Sequence, residues 1–358
     1  MFKLALSALF SLLLVFIPAQ AAKAQQADNG TVKKSATKKS TANKVVVAKS
    51  RVVVRHRAAK AQERTSKRTV VVRGKRKVVI QSVRVAAPSV QTMGDLAGLN
   101  LTRDPLDLKS SVALVLDQSN SEVLFEKNAN VALPIASITK LMTGLVVVQA
   151  RQDMNEMLKV TEDDIDREKF TRSRLKIGSE LSRSDMLHIA LMSSENRAAS
   201  ALGRNYPGGL PAFVAAMNAK ARQLGMNDTH YVDSSGLSKF NVASARDLAK
   251  LVMASHNEPL LRQYSTDQKT IVETNGVPMR YGNTNRLVNN PDWDIGLQKT
   301  GFINEAGRCL VMQAKIEGRA VIMVFLDSKG TQSRSADAGR MRKWLEALKP
   351  NGMSVPGG

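Results

Sequence analysis

Three short motifs place serine, lysine and asparagine side chains at spacings that suit acyl transfer to a serine. In chain order they are Ser137-Ile138-Thr139-Lys140, Ser194-Glu195-Asn196 and Lys299-Thr300-Gly301. Each motif alone is weak evidence, because the first two patterns recur elsewhere in the chain, whereas Lys-Thr-Gly occurs once. Together, and in this order, they are a strong signal for an enzyme that forms an acyl intermediate on a serine.

The first motif supplies a nucleophile and a base. Ser137 and Lys140 are three residues apart, so on a helix they project from one face, one turn apart. Near the start of that helix, Ser137 meets backbone donors and the positive end of the dipole. A serine hydroxyl needs a base, and Lys140 can serve only when it is neutral. Burial and a second cation, for which Lys299 is the candidate, would both lower the pKa of Lys140.

The second motif suits proton transfer and substrate positioning. The Ser194 hydroxyl can relay a proton to a leaving amine. The Asn196 amide can hydrogen-bond a substrate amide and position Lys140. For these two residues the alternative is a turn-capping role without chemistry.

The third motif suits recognition of a carboxylate. Lys299 and Thr300 can bind the terminal or pendant carboxylate of a substrate. Gly301 lets the substrate lie close against a strand, because it carries no side chain. The backbone N–H groups of Ser137 and Phe302 are the predicted oxyanion hole.

Histidine, thiol and metal chemistry are disfavoured. None of the four histidines (His56, His188, His230 and His256) lies beside a Gly-x-Ser-x-Gly or His-Glu-x-x-His pattern. His188 follows an apolar pair on a predicted helix and is interpreted as a core residue. Cys309 is the single cysteine, which excludes an internal disulfide and a multi-cysteine zinc site. It lies in an apolar run and is predicted to be buried. We expect no metal and no cofactor.

Hydrophobic patterning predicts an α+β fold in which strands at both ends enclose a helical middle. The first and last strands should meet in one antiparallel sheet. The predicted strands are Ser111–Leu116, Glu122–Phe125, Arg308–Ile316 and Ala320–Asp327. The predicted helices are Ala136–Ala150, Arg183–Leu202, Gly209–Leu224, Ser244–Ser255 and Ser333–Leu348.

The positive charge of the chain is concentrated in one segment. The 358 residues carry 53 Lys+Arg against 31 Asp+Glu, a net charge of +22. Residues 31–88 hold 18 of these cations and one acid, whereas the 270 residues after position 88 have a net charge of +4. Because no aromatic residues interleave with the charges, a single-stranded nucleic acid finds no stacking platform, and we expect no nucleic-acid partner. The segment is predicted to be either a solvated linker or a tether to anionic envelope polymers or a membrane surface.

The start of the chain predicts export. Residues 1–24 have a basic start, an apolar run of 14 residues (Leu4–Ile17) and two small-x-small cleavage sites, as in a secretory signal peptide. The run is shorter than the roughly 20 residues that span a bilayer, and an uncleaved anchor is the alternative. The predicted order is signal peptide 1–24, disordered basic segment 25–99, catalytic domain 100–348 and a short tail 349–358. In a Gram-negative cell the destination is the periplasm.

From about Leu101 to Leu348 the chain resembles the low-molecular-mass penicillin-binding proteins, which are D-alanyl-D-alanine peptidases. Glu195, where carboxypeptidases commonly have glycine, resembles the penicillin-binding protein 7 branch, as does the short length of chain after the last predicted helix. The matching context comprises residues 134–143, 192–199, 233–237, 244–248, 283–287 and 297–302.

The resemblance implies a fold, a reaction and an inhibitor class. The fold is that of serine β-lactamases and D,D-peptidases, with an antiparallel sheet flanked by helices and a mostly helical subdomain. The reaction is hydrolysis of D-alanyl–diaminopimelate cross-links in peptidoglycan, in which Ser137 attacks the D-alanine carbonyl and water releases the acyl-enzyme. Penicillins and other β-lactams would acylate the same serine.

Three alternatives remain open at this point. A D-alanyl-D-alanine carboxypeptidase would use the same site. A class A β-lactamase needs a glutamate for rapid deacylation, and no glutamate occurs between Asn196 and Glu258. A non-catalytic wall-binding protein, held by its basic segment, is disfavoured by the intact set of three motifs.

Overall fold

The structure, a computed structural model, describes residues 62–72, 75–85 and 90–348. Within them the strands are β1 (Gln62–Val72), β2 (Lys75–Val85), β3 (Ser110–Asp117), β4 (Val123–Lys127), β5 (Leu133–Pro134), β6 (Met157–Lys159), β7 (Glu180–Ser182), β8 (Val242–Ala243), β9 (Lys269–Thr274), β10 (Val277–Gly282), β11 (Asp294–Ile303), β12 (Gly307–Ile316) and β13 (Arg319–Ser328).

The helices of the described residues lie mainly between β5 and β11. They are α1 (Met93–Leu96), α2 (Thr139–Gln149), α3 (Arg183–Met192), α4 (Asn196–Arg204), α5 (Gly209–Gln223), α6 (Ala245–His256), α7 (Pro259–Thr266) and α8 (Ser333–Ala347). Short 3-10 turns occupy 99–101, 136–138, 162–164 and 286–289.

A five-stranded antiparallel sheet has the strand order β11-β12-β13-β3-β4. The first of its strands in chain order, β3, pairs with β13, where Leu114 lies opposite Val324. The α+β prediction, with both ends of the domain joined in one sheet, is confirmed. Because successive side chains point to opposite faces, β3 contributes Leu114 to the apolar cluster under α2 and α6 and Val115 to the cluster under α8. The sheet is therefore covered on both faces.

The helix α2 lies at the centre of the helical layer. Nine of its residues, from Thr139 to Val147, are buried, and it contacts α3, α4, α5 and α6. Its start differs from the prediction, because residues 136–138 form a 3-10 turn and the α-helix begins at Thr139.

The predicted helix Arg183–Leu202 is wrong as one element. The structure breaks it into α3 and α4, with residues 193–195 between them. Ser194 has a left-handed backbone (φ 60°), which ends the helical run. Glu195 then caps the new helix, since its side chain accepts from the Arg197 amide. The hairpin of β9 and β10 and the helix α7 are not among the predicted elements.

The basic segment contains paired strands. β1 and β2 pair antiparallel from Gln62 opposite Val85 to Val72 opposite Lys75. Both strands are rich in β-branched residues, with valine and threonine in β1 and valine and isoleucine in β2, and these favour extended backbone. The predicted signal peptide, most of the basic segment and the tail 349–358 lie outside the described residues. Within the described part, no helix is both long and apolar enough to cross a membrane.

Candidate active site

The nucleophile turn is pressed between two glycines. Ala136, directly before Ser137, has a left-handed backbone (φ 48°). A Cβ on Gly236 would lie 2.0 Å from the Ala136 carbonyl oxygen, and a Cβ on Gly301 would lie 2.8 Å from the Ile135 carbonyl oxygen. Both approaches require the absence of a side chain. The turn is thereby held between β11 and the loop at Gly236, with Ser137 half-buried.

Lys140 is completely buried beside this serine. Its Nζ lies 3.0 Å from Ser137 Oγ, 2.8 Å from Asn196 Oδ1 and 2.6 Å from the Ser235 carbonyl oxygen. The two carbonyl-type oxygens are acceptors only. When Lys140 is neutral, they take both of its N–H groups and leave the lone pair facing Ser137.

The environment of Lys140 favours its neutral form. Burial lowers its pKa from the ordinary range to about 8, although the carboxylates of Asp233 and Glu195 act in the opposite direction. The repulsion between the two buried amines also lowers the pKa of Lys299, for which burial is again the largest cause.

Lys299 enters the site from β11 and is also completely buried. Its Nζ lies 3.0 Å from Ser194 Oγ and donates to the Thr300 carbonyl oxygen at 2.9 Å. Burial holds the pKa of Lys299 well below its usual range, and the positive charges of Lys140 and Arg334 add to this effect. The charged groups that act on Lys299 are thus cations, and such surroundings favour the binding of an anionic group of a substrate.

The Ser194-Glu195-Asn196 motif lies in the break between α3 and α4. The Ser194 and Asn196 side chains contact different amines, because Ser194 meets Lys299 and Asn196 meets Lys140. The break between the helices allows both side chains to point into the same site. In an unbroken helix, residues i and i+2 would lie on different faces. Ser193 secures the turn by donating to the Gly282 carbonyl oxygen at 2.7 Å.

The rest of the Lys-Thr-Gly strand runs along the nucleophile turn. The hydroxyls of Thr300 and Thr284 are 2.7 Å apart, and a Cβ on Gly301 would lie 3.2 Å from the Ser137 amide nitrogen. Phe302 follows Gly301 directly, so the two predicted oxyanion-hole amides belong to segments that are distant in sequence but lie side by side in the fold. The Phe302 ring is half exposed and carries the Arg308 guanidinium above it, 4.7 Å from the ring centre.

Two supporting groups are missing from the sequence-based list of site residues. Asp233 accepts from the Ser235 and Gly236 amides at 2.6 and 2.5 Å, which turns the Ser235 carbonyl toward Lys140. An aspartate before Ser-Ser-Gly is a recognisable turn signal. Arg334 donates to the Gly301 carbonyl oxygen at 2.7 Å from α8. No local pattern marks that arginine, because its contact is made across the fold.

The residues set aside in the sequence analysis lie outside this site. Cys309 is buried, as predicted, and burial raises the pKa of its thiol to about 12. His188 stacks on Tyr264 with ring centres 4.3 Å apart, and its Nε2 lies 3.0 Å from an Asp267 carboxylate oxygen. Nowhere in the described part of the chain do three or more His, Cys, Asp or Glu side chains gather as a metal site would require.

Comparison with known proteins identifies the family. Residues 100–330 match the model of the D-alanyl-D-alanine carboxypeptidase family, peptidase S11. The chain belongs to this family of serine peptidases. Among its relatives is a D-alanyl-D-alanine endopeptidase of Pseudomonas aeruginosa, 49% identical over 252 residues that cover 70% of this chain and 80% of that protein. A D-alanyl-D-alanine endopeptidase of Escherichia coli is 46% identical over 254 residues, covering 70% and 81%.

Solved structures of family members share the fold. A D-alanyl-D-alanine carboxypeptidase of Mycobacterium tuberculosis superimposes with a TM-score of 0.63 at 26% identity, covering 70% of this chain and 95% of that one. A Streptomyces DD-transpeptidase gives a TM-score of 0.63 at 23% identity, covering 69% and 100%. The predicted D,D-peptidase fold is thereby confirmed.

Proposed function

We propose that this family member is a serine D,D-endopeptidase that hydrolyses D-alanyl–diaminopimelate cross-links in peptidoglycan. One observation carries the proposal, namely a buried amine of lowered pKa 3.0 Å from Ser137 Oγ, with its two N–H groups directed at acceptors. The preference for cross-links is supported by the two relatives at 46–49% identity, both named endopeptidases.

Acylation follows from this geometry. Ser137 Oγ attacks the D-alanine carbonyl carbon while its proton passes to the lone pair of Lys140. The oxygen that gains negative charge is held by the N–H groups of Ser137 and Phe302. When the tetrahedral intermediate collapses, the C–N bond breaks and the leaving amine takes, through Ser194, the proton that Lys140 received, so that Lys140 is neutral again. The products of this half-reaction are the acyl-enzyme and the free amine.

Deacylation returns the enzyme to its starting state. A water molecule attacks the ester carbonyl as its proton passes to Lys140, the C–Oγ bond breaks and Ser137 regains a proton. The second product is the peptide ending in a D-alanine carboxylate. β-Lactams acylate Ser137 by the same attack, with opening of the lactam ring in place of amine release.

Substrate recognition falls to β11. The carboxylate beside the scissile bond meets Lys299 and Thr300, and its negative charge raises the pKa of the lysine, which is then an ammonium ion. Asn196 binds a substrate amide on the opposite wall. Gly301 lets the peptide lie along the strand edge.

We further propose that the enzyme acts in the periplasm after removal of residues 1–24. The basic segment then links the enzyme domain to anionic envelope polymers or to a membrane surface. A test is the distribution of the exported protein between soluble and wall fractions with and without residues 31–88. Equal distributions would leave the segment as a linker only.

The decisive experiment uses two purified substrates. The enzyme is incubated with cross-linked muropeptide dimers and, separately, with pentapeptide monomers, with Ser137→Ala as the control. An endopeptidase converts dimers to monomers and the control does not. Release of D-alanine from pentapeptides with intact dimers would overturn the endopeptidase assignment.

The second candidate is a D-alanyl-D-alanine carboxypeptidase, and the description of the matching family favours it. Both reactions break the bond after a D-alanine, so Ser137 and Lys140 serve either one. The two substrates above separate them, because only the endopeptidase accepts a bulky leaving amine.

A further inference from the structure

The loop between the 3-10 turn 162–164 and β7 reaches the active site through one hydroxyl. Thr171 Oγ1 accepts from Asn196 Nδ2 at 3.0 Å and donates to Asp166 Oδ2 at 2.7 Å. Asn196 Oδ1 in turn accepts from Lys140. A continuous chain of hydrogen bonds therefore links Asp166 to the amine beside Ser137.

The aspartate at the start of this chain is locked as an acceptor. Asp166 receives the backbone N–H groups of Glu168, Lys169 and Thr171 at 2.8–3.0 Å. Burial raises the pKa of Asp166, but these hydrogen bonds outweigh it and the pKa lies below its usual range. An ionised carboxylate can only accept.

The ionised Asp166 carboxylate determines which group donates and which accepts in each of these hydrogen bonds. Because Asp166 only accepts, the Thr171 hydroxyl must give it the proton, and its oxygen is left free to accept from Asn196. The Asn196 NH2 group therefore faces Thr171, and its carbonyl faces Lys140. With the amide turned over, the NH2 group would face Lys140 and compete for the lone pair that Ser137 needs.

The loop is held in place independently of this contact. Lys169 Nζ donates to Glu305 Oε1 at 2.6 Å, and Arg197 donates to the Leu175 carbonyl oxygen. These two contacts lie on either side of Thr171 in the chain. Removal of the Thr171 hydroxyl alone should therefore leave the loop seated.

We propose that Thr171, oriented by Asp166, is a positioning residue that fixes the amide of Asn196 and so directs the lone pair of Lys140 at Ser137. The inference rests on the proposed function, since it takes Lys140 as the base. It goes beyond the three motifs, because neither Thr171 nor Asp166 belongs to any of them.

The test measures acylation of the full chain by a fluorescent penicillin. Thr171→Val keeps the shape and removes the acceptor, and a misdirected base should slow acylation about 10- to 100-fold. Thr171→Ser restores the hydroxyl and should recover the rate to within about 3-fold. Thr266→Val is the matched control, because that hydroxyl donates to the Arg262 carbonyl oxygen within α7. An unchanged rate in Thr171→Val, with Tm equal to the parent, overturns the proposal.

A double-mutant cycle separates positioning from a general effect on the loop. If Thr171 acts through Asn196, Thr171→Val should cause no further loss in an Asn196→Ala background. Independent losses that multiply would show a different role and reject the inference. Failure of the proposed function is a separate result, since labelling that persists in Ser137→Ala would remove Ser137 as nucleophile whatever Thr171 does.

Discussion

Two buried lysines share this site, and their surroundings differ. Lys140 meets three oxygens from three segments and has two carboxylates nearby, whereas Lys299 meets two oxygens and has two cations nearby. Burial lowers the pKa of both. The difference lies in the proposed roles, since Lys140 faces the hydroxyl of the proposed nucleophile Ser137, whereas Lys299 faces Ser194 and is proposed to bind the substrate carboxylate.

The largest expected effect is on the base. Lys140→Arg keeps a positive charge but cannot release its proton at working pH. If Lys140 is the general base, the acylation rate should fall about 100- to 10,000-fold. The measurement is the second-order rate constant with fluorescent penicillin, with Lys250→Arg as a control whose ammonium lies far from Ser137 in sequence and pairs with Asp247. Comparable losses in both variants would mean that the substitution acts through folding.

The pH dependence tests the same lysine without mutation. Because the pKa of Lys140 is lowered to about 8, the neutral fraction rises about tenfold per pH unit below that value and levels off above it. Acylation should therefore increase by roughly 50-fold from pH 6 to 8, and by about twofold more before it reaches a plateau above about pH 9. A rate that falls over this range would show that the protonated amine is the active form.

Stability should follow the same titration with a defined sign. Between about pH 8 and the ordinary lysine range near 10.5, the unfolded chain binds a proton at Lys140 that the folded chain does not. The free energy of unfolding should therefore rise with pH through this window. Lys140→Met removes the titration, and urea unfolding of both proteins at pH 7 and 9.5 measures the difference.

Substitution of Lys299 should impair substrate binding and not the base. Its removal leaves the base in place but takes a donor from the substrate carboxylate, and a hydrogen bond to a charged group contributes about 1.5–3 kcal/mol. Lys299→Ala should thus lower kcat/KM roughly 10- to 100-fold for a cross-linked peptide with a free carboxylate. The same peptide with that carboxylate amidated should show little difference between parent and variant. An equal loss on both peptides would assign Lys299 to proton transfer.

The sequence predicts the two lysines better than their partners. Lys140 is separated from Ser137 by one helical turn, which the local pattern shows. Lys299 is marked by its Lys-Thr-Gly motif and not by an apolar pattern, because β11 also carries Asp294, Gln298 and Thr300. The Ser235 carbonyl carries no side-chain signal, and its direction depends on the Asp233 turn. The break at Ser194 has a weak local signal, because Ser193, Ser194 and Asn196 favour turns and helix caps, but the apolar residues on both sides continue the helical pattern.

The same limit applies to the fold. Runs of apolar residues predict β3, β12 and β13. These strands come from the two ends of the domain, and their pairing in one sheet is expected because each must bury its apolar side chains. The left-handed Ala136 is not predictable from its own type, since alanine favours the right-handed helix. Gly236 and Gly301, which are 100 or more residues away in the chain, leave the room that this turn needs.

The smallest expected effect concerns how closely the two lysines are held together. A Cβ on Gly301 would lie 2.8 Å from the Ile135 carbonyl oxygen, so Gly301→Ala should push β11 and Lys299 away from the turn that carries Ser137. Such overpacking costs about 1–3 kcal/mol, and acylation should slow with it. Gly339→Ala is the control, because it lies in α8 with nothing within 4 Å of the new Cβ and should stabilise the protein by up to about 1 kcal/mol. The contrary outcome is a lower Tm for Gly301→Ala with acylation and the amidated-peptide comparison both unchanged. The spacing between the two amines would then not determine their different roles, and burial alone would have to explain the difference.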